Sequence, residues 1–123
     1  MSKRVLIADD AAYMREMLRD ILTQGGYSVA AEASDGDEAV EGFAEHSPDL
    51  VTLDIVMPRK SGLEALREIM QRDPGACVVM CSALGQEALV KDMLAAGARG
   101  YLVKPFKPDQ VLDVVGKALA KPK

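Results

Sequence analysis

The run Val5-Leu6-Ile7-Ala8-Asp9-Asp10 decides how this chain reads. Four apolar residues follow one another without alternation, as in a strand covered on both faces, and two carboxylates end the run abruptly. Working outward, the same pattern recurs. Leu50 to Leu53 is followed by Asp54, Cys77 to Cys81 by Ser82, and Tyr101 to Val103 by Lys104, while Tyr27 to Ala33 makes the remaining apolar run. Segments of helical period lie between and after these runs. Met14, Met17, Leu18, Ile21 and Leu22 form an i, i+3, i+4, i+7, i+8 stripe that stops at Gly25-Gly26. Ala39, Val40 and Phe43 mark a second helix, and Leu63, Leu66, Ile69 and Met70 a third. Ala88, Leu89 and Met93 mark a fourth, ended by Gly97, and Val111, Leu112, Val115 and Leu119 a fifth. Repeated βα units with right-handed crossovers build a single doubly wound α/β domain with a parallel sheet. The sites of such a sheet lie beyond the carboxyl ends of its strands, where strand order reverses.

The chain has 123 residues and 13.2 kDa, room for one ordinary domain. Its 15 Lys and Arg against 19 Asp and Glu give a net charge of −4 and a pI of about 5.0, which argues against nucleic acid or an anionic membrane as partner. No apolar run approaches the ~20 residues of a membrane span. The apolar stretch after Lys3 and Arg4 is too short for a secretion signal, so a cytoplasmic location is expected. Only Ala120 to Lys123 follow the fifth helix, which leaves residues 1–123 as one domain without an output domain. If Cys77 and Cys81 share a strand face they stand ~13 Å apart, beyond disulfide reach, and both are expected reduced and buried.

The residues that end the strands are Asp9 and Asp10, Asp54, Ser82 and Lys104; Ser34-Asp35, after the second, reads as an ordinary turn and helix cap. Any one polar residue after a strand is unremarkable, but the conjunction is not. Neighbouring strands lie ~4.8 Å apart, so carboxylates at the ends of the first and third crowd one another. An all-oxygen set of this kind suits a hard divalent ion such as Mg²⁺. Zinc is disfavoured, because His46 is the one histidine and reads as a solvated loop residue away from the strand ends. A lysine and a hydroxyl facing a carboxylate-bound cation make a phosphoryl site. Asp54, alone at its strand end, is then the nucleophile, and Asp9 and Asp10 hold the metal.

These residues carry a family resemblance. VLIADD, VTLDIVMP, CSA and YLVKPF, in that order at strand ends, resemble the receiver domain of two-component response regulators over the whole chain, and DAAYMR and CSALGQ resemble its chemotaxis members. The resemblance implies a flavodoxin-like strand order 2-1-3-4-5, with Asp54 as phosphoacceptor. It further implies Mg²⁺ held directly by Asp10, Asp54 and the backbone carbonyl of Val56, and by Asp9 through water. Ser82 would hydrogen-bond the phosphoryl group, Lys104 would pair with it through a cis Lys104-Pro105 peptide, and Tyr101 would be an aromatic switch. The ordinary alternative for Tyr101 is a half-buried strand aromatic. The partners implied are a CheA-like histidine kinase, a FliM-like flagellar motor switch protein and a phosphatase, acting on a monomer. Ser82 stands where threonine is frequent, and Val56 and Leu84 are apolar at positions flanking the phosphoryl group that are often polar.

Other readings compete. A flavin phosphate needs a hydroxyl- and glycine-rich loop after the first strand, where this chain has Asp9-Asp10-Ala11-Ala12. A Mg²⁺-dependent phosphatase enzyme forming an aspartyl-phosphate commonly carries a second acid two residues after the nucleophile, where this chain has Val56. An intermediate carrier of a phosphorelay shares the receiver chemistry and stays open.

Overall fold

The computed structural model describes residues 2–83 and 86–121. The strands are β1 (Arg4–Ala8), β2 (Ser28–Ala33), β3 (Leu50–Asp54), β4 (Val78–Ser82) and β5 (Gly100–Val103). The helices are α1 (Ala12–Gln24), α2 (Gly36–His46), α3 (Gly62–Arg72), α4 (Val90–Ala95) and α5 (Pro108–Ala120). All strand pairs are parallel, as the apolar runs point to, and the order is β2-β1-β3-β4-β5, as the family resemblance implies. The unbroken apolar runs are the central strands. β3 and β4 are buried along their whole length, whereas the edge strands β2 and β5 are partly exposed.

Each face of the sheet has its own core. Leu6, Val51, Leu53, Val78 and Met80 point toward α2, α3 and α4, where Leu66, Ile69 and Met93 meet them. Val5, Ile7, Leu50, Val79 and Cys81 point the other way, against Leu18 and Leu22 of α1 and Val111 and Val115 of α5. This alternation aims Thr52 and Asp54, which share Leu50's side of β3, at the α1 and α5 face. Fully burying a side chain such as Ile69 contributes about 1.5–3 kcal/mol.

Several sequence expectations shift in detail. Met17, placed on the buried stripe of α1, is 41% exposed, because the stripe follows Met14, Leu18, Ile21 and Leu22 and leaves Met17 at its margin. The fourth helix is shorter than its pattern suggests: Glu87–Leu89 form a 3₁₀ turn and α4 begins only at Val90, with no side-chain hydrogen bond from Leu89 at its N-cap. Ala118 takes the buried position at the end of α5 and Leu119 is half-buried. His46 is the last residue of α2, not a loop residue, and its carbonyl accepts from Arg4 Nη1 at 2.7 Å. Cys77 and Cys81 are free and buried, as expected. Asp35 caps α2 as read, its carboxylate accepting from Glu38 N at 2.8 Å.

Candidate functional site

The site is built at the carboxyl ends of β1, β3, β4 and β5. Asp9 follows β1 directly. Its N–H donates to Ala33 O on β2 at 3.0 Å, and its Oδ1 accepts from Ala11 N at 2.9 Å, so the turn into α1 fixes both its backbone and its carboxylate. Asp10, one residue on, is exposed. Asp54 is the last residue of β3, inside the strand where the apolar run had placed it just outside, and is 6% exposed. Carboxylate oxygens of Asp9, Asp10 and Asp54 all lie within 4.8 Å of one another.

The loop after Asp54 closes back on the strand. Gly62 N donates to Ile55 O at 2.8 Å, and a Cβ on Gly62 would stand 2.1 Å from the carbonyl oxygen of Asp54, so only glycine fits. A capping box of Ser61 and Glu64 then starts α3. Val56, on the outer side of this loop, is 61% exposed, while Met57 tucks beneath it.

Lys104 reaches in from the end of β5. Its N–H donates to Ser82 O at 2.8 Å, its peptide to Pro105 is cis, and its Nζ stands 2.9 Å from Asp9 Oδ2 and 3.2 Å from Asp54 Oδ2. Burial and the neighbouring Asp9 carboxylate push the Asp54 carboxyl above its ordinary range, and Lys104 opposes them without cancelling them. Burial draws the Lys104 ammonium down, but its contacts with Asp9 and Asp54 outweigh that and hold it above its ordinary value. Three carboxylates facing one ammonium leave an excess of two negative charges at a site of oxygen donors. A hard divalent cation fits that deficit and that donor set.

The remaining sequence candidates lie around this centre. Ser82 ends β4, fully buried, and its hydroxyl donates to Leu102 O at 3.4 Å, turned toward β5 rather than the carboxylates. Tyr101 pairs with Met80 on the sheet edge and is 43% exposed, so it stands outside the acid cluster. Leu84 lies outside the described residues.

Two residues of the neighbourhood escaped sequence reasoning. Thr52 Oγ1, two residues before Asp54 on the same strand face, is the one buried side-chain polar atom without a hydrogen-bond partner among the described residues. Arg15 on α1 donates through Nη1 to Asp9 O at 2.6 Å. The available signal was a cation one turn into the helix that follows the acids, and it looked like an ordinary surface arginine.

The family model of the response regulator receiver domain matches residues 5–116. The chain belongs to the receiver family. Among curated relatives, the chemotaxis protein CheY of Thermotoga maritima is 53% identical over 117 residues, 95% of this chain and 98% of that protein. The Bacillus subtilis CheY is 53% identical over 119 residues, 97% and 99% of the two chains. A solved CheX–CheY complex with beryllofluoride and magnesium, from Borrelia burgdorferi, superposes with a TM-score of 0.92 at 42% identity, covering 97% of this chain and 90% of that one. This receiver is therefore a CheY-like response regulator, a signalling switch in class. Among the described residues no helix is long and apolar enough to cross a membrane.

Proposed function

We propose that this receiver accepts a phosphoryl group on Asp54 from the phosphohistidine of a CheA-like kinase, with Mg²⁺ bound, and passes the signal on by protein contact. The observation that supports it is the meeting of Asp9, Asp10 and Asp54 within 4.8 Å, with Lys104 bridging two of them. Asp10, Asp54 and the Val56 carbonyl would hold the cation directly, and Asp9 through water. Bound there, the cation supplies charge neutralisation for the incoming phosphoryl oxygens. Asp54 attacks phosphorus through one carboxylate oxygen, the bond to the donor imidazole breaks, and the imidazole leaves with the bond's electron pair. Lys104, already 3.2 Å from Asp54, meets one of the transferred oxygens, and the Ser82 hydroxyl exchanges Leu102 O for another.

Exposed Val56 cannot orient an attacking water, which favours a slow loss of the phosphoryl group; a phosphatase partner would then set the signal's lifetime. Tyr101 is the switch residue in this reading. It borders a groove of about 460 Å³ between β5 and α5, lined by Val103, Phe106 and Val114 with Lys107 and Gln110 at its rim. That groove, together with exposed Lys91 of α4, is the proposed target site for a FliM-like motor protein, reached by a cytoplasmic monomer. The experiment is labelling with acetyl phosphate, mapped by mass spectrometry. One phosphoryl group per chain on Asp54, lost on chelation, is expected. Undiminished labelling under chelation, or labelling that survives Asp54→Asn, overturns the reading.

A further inference from the structure

Arg15 lies in the first turns of α1, with its side chain 19% exposed. Its Nη1 donates to the carbonyl oxygen of Asp9 at 2.6 Å and its Nε to Glu32 Oε1 at 3.0 Å. The other oxygen of Glu32 accepts from Arg19 Nε at 3.0 Å and Nη2 at 2.5 Å. Glu32 stands on β2 beside Ala33, whose carbonyl accepts the Asp9 N–H at 3.0 Å. Both backbone polar groups of Asp9 are thus tied to β2, the N–H directly and the C=O through a guanidinium that a carboxylate holds in place.

The consequence falls on the next residue. The carbonyl of Asp9 and the N–H of Asp10 belong to one rigid peptide plane, so anchoring that oxygen sets where Asp10 starts and how its carboxylate approaches Asp9 and Asp54. Asp10 is the exposed member of the acid cluster, the one with least surrounding protein to hold it. The brace also places a positive charge behind an arm that carries two carboxylates. Its geometry is directional: an arginine held at Nε by Glu32 has its fork fixed, and Nη1 is left facing the Asp9 carbonyl.

We propose that Arg15, held by Glu32, is a positioning residue for the Asp9-Asp10 arm of the cation site, and that Arg19 serves the fold alone. The proposal rests on the reading of the acid cluster as a divalent-cation site. Groups one step out from metal ligands that orient them typically cost 10–100-fold in affinity when removed, so Arg15→Ala should weaken Mg²⁺ binding by about tenfold. Arg15→Lys recovers part of that, since an ammonium reaches the carbonyl or the carboxylate but lacks the fork. Glu32→Gln weakens binding less than Arg15→Ala. Arg19→Ala removes the outer grip on Glu32 and leaves Mg²⁺ affinity unchanged within error.

The test is calorimetric titration of each purified variant with MgCl₂, with circular dichroism to establish folding and acetyl-phosphate labelling at saturating Mg²⁺ as a second readout. Weakened Mg²⁺ binding in Arg15→Ala, with labelling restored once the cation saturates, is the expected result. Binding equal to wild type in folded Arg15→Ala overturns the proposal, and so does an equal loss in Arg19→Ala, which would mark a general loosening of α1. Should Arg15→Ala not fold, Arg15→Lys and Glu32→Gln carry the same comparison. Absence of Mg²⁺ binding in the wild type would instead overturn the cation-site reading itself and this proposal with it.

Discussion

The two ends of the sheet handle charge in opposite ways. At the amino end cations are matched to backbone carbonyls. Arg4 Nη1 donates to His46 O at 2.7 Å and its N–H to Asp49 Oδ2 at 2.7 Å. Arg99 Nη1 donates to Lys121 O at 2.9 Å and Ala118 O at 3.3 Å, and its Nη2 to Gly75 O at 3.3 Å, which ties the end of α5 to the loop before β4. At the carboxyl end Asp9, Asp10 and Asp54 face one another with a single lysine bridging two of them. One end closes the fold. The other holds carboxylates against their mutual repulsion, an arrangement that lowers stability and that the proposed cation and phosphoryl chemistry would use.

Substitutions at the two ends should therefore separate function from stability. The largest effect is expected from Asp54→Asn, which abolishes acetyl-phosphate labelling. The same variant should raise the unfolding midpoint of the metal-free protein, because the raised Asp54 pKa means that its carboxylate is less favourable folded than unfolded. Chemical denaturation without Mg²⁺ checks the sign. Arg99→Ala should do the reverse, losing about 1–3 kcal/mol of stability as its charged hydrogen bonds are removed, with labelling of Asp54 intact in the folded fraction. Labelling lost in step with Arg99 would mean that the two ends are coupled.

Smaller effects sharpen the contrast beside and below the site. Thr52→Val keeps the shape of the side chain and removes the unpartnered buried hydroxyl, so it should stabilise the protein by about 1 kcal/mol in denaturant titration. Glu32→Gln should cost a few tenths of a kcal/mol at neutral pH. Arg19's hydrogen bonds, with help from Arg15, hold the Glu32 carboxyl below its usual 4.5. The folded state thus binds this proton less tightly than the unfolded state. Its contribution is present above the unfolded value and fades as pH falls through the folded one. Thermal unfolding of wild type and Glu32→Gln should therefore differ at pH 7 and converge on acidification below 4.5.

How much of this was visible in the sequence follows from the range over which each feature is decided. The central strands were legible because burial on both faces writes an unbroken apolar run, and the strand-end acids were legible because each sits next to such a run. The candidate cluster needed only one step more, that adjacent strands bring their ends together. Met17 and the start of α4 were misplaced by a few residues, since periodicity marks a helix but not the margin of its buried face or the turn at which it begins. Arg15 and Glu32 were not legible, because their bond joins positions 17 residues apart on different elements and neither residue type is unusual where it stands. Thr52 was hidden for a different reason: a threonine in a strand is ordinary until its hydroxyl is found to have no partner.

The central claim is that the carboxyl end carries a charge deficit that a cation relieves, while the amino end has none. Its most direct test is the unfolding midpoint of wild type, Arg99→Ala and Asp10→Ala, each with and without saturating Mg²⁺. A ligand that binds only the folded state stabilises it in proportion to the logarithm of its concentration over its dissociation constant. Mg²⁺ should raise the midpoint of wild type and, by the same increment from a lower base, that of Arg99→Ala, while leaving Asp10→Ala nearly unmoved. A wild-type midpoint indifferent to Mg²⁺, or an Asp10→Ala midpoint that rises as far as wild type, would contradict the account.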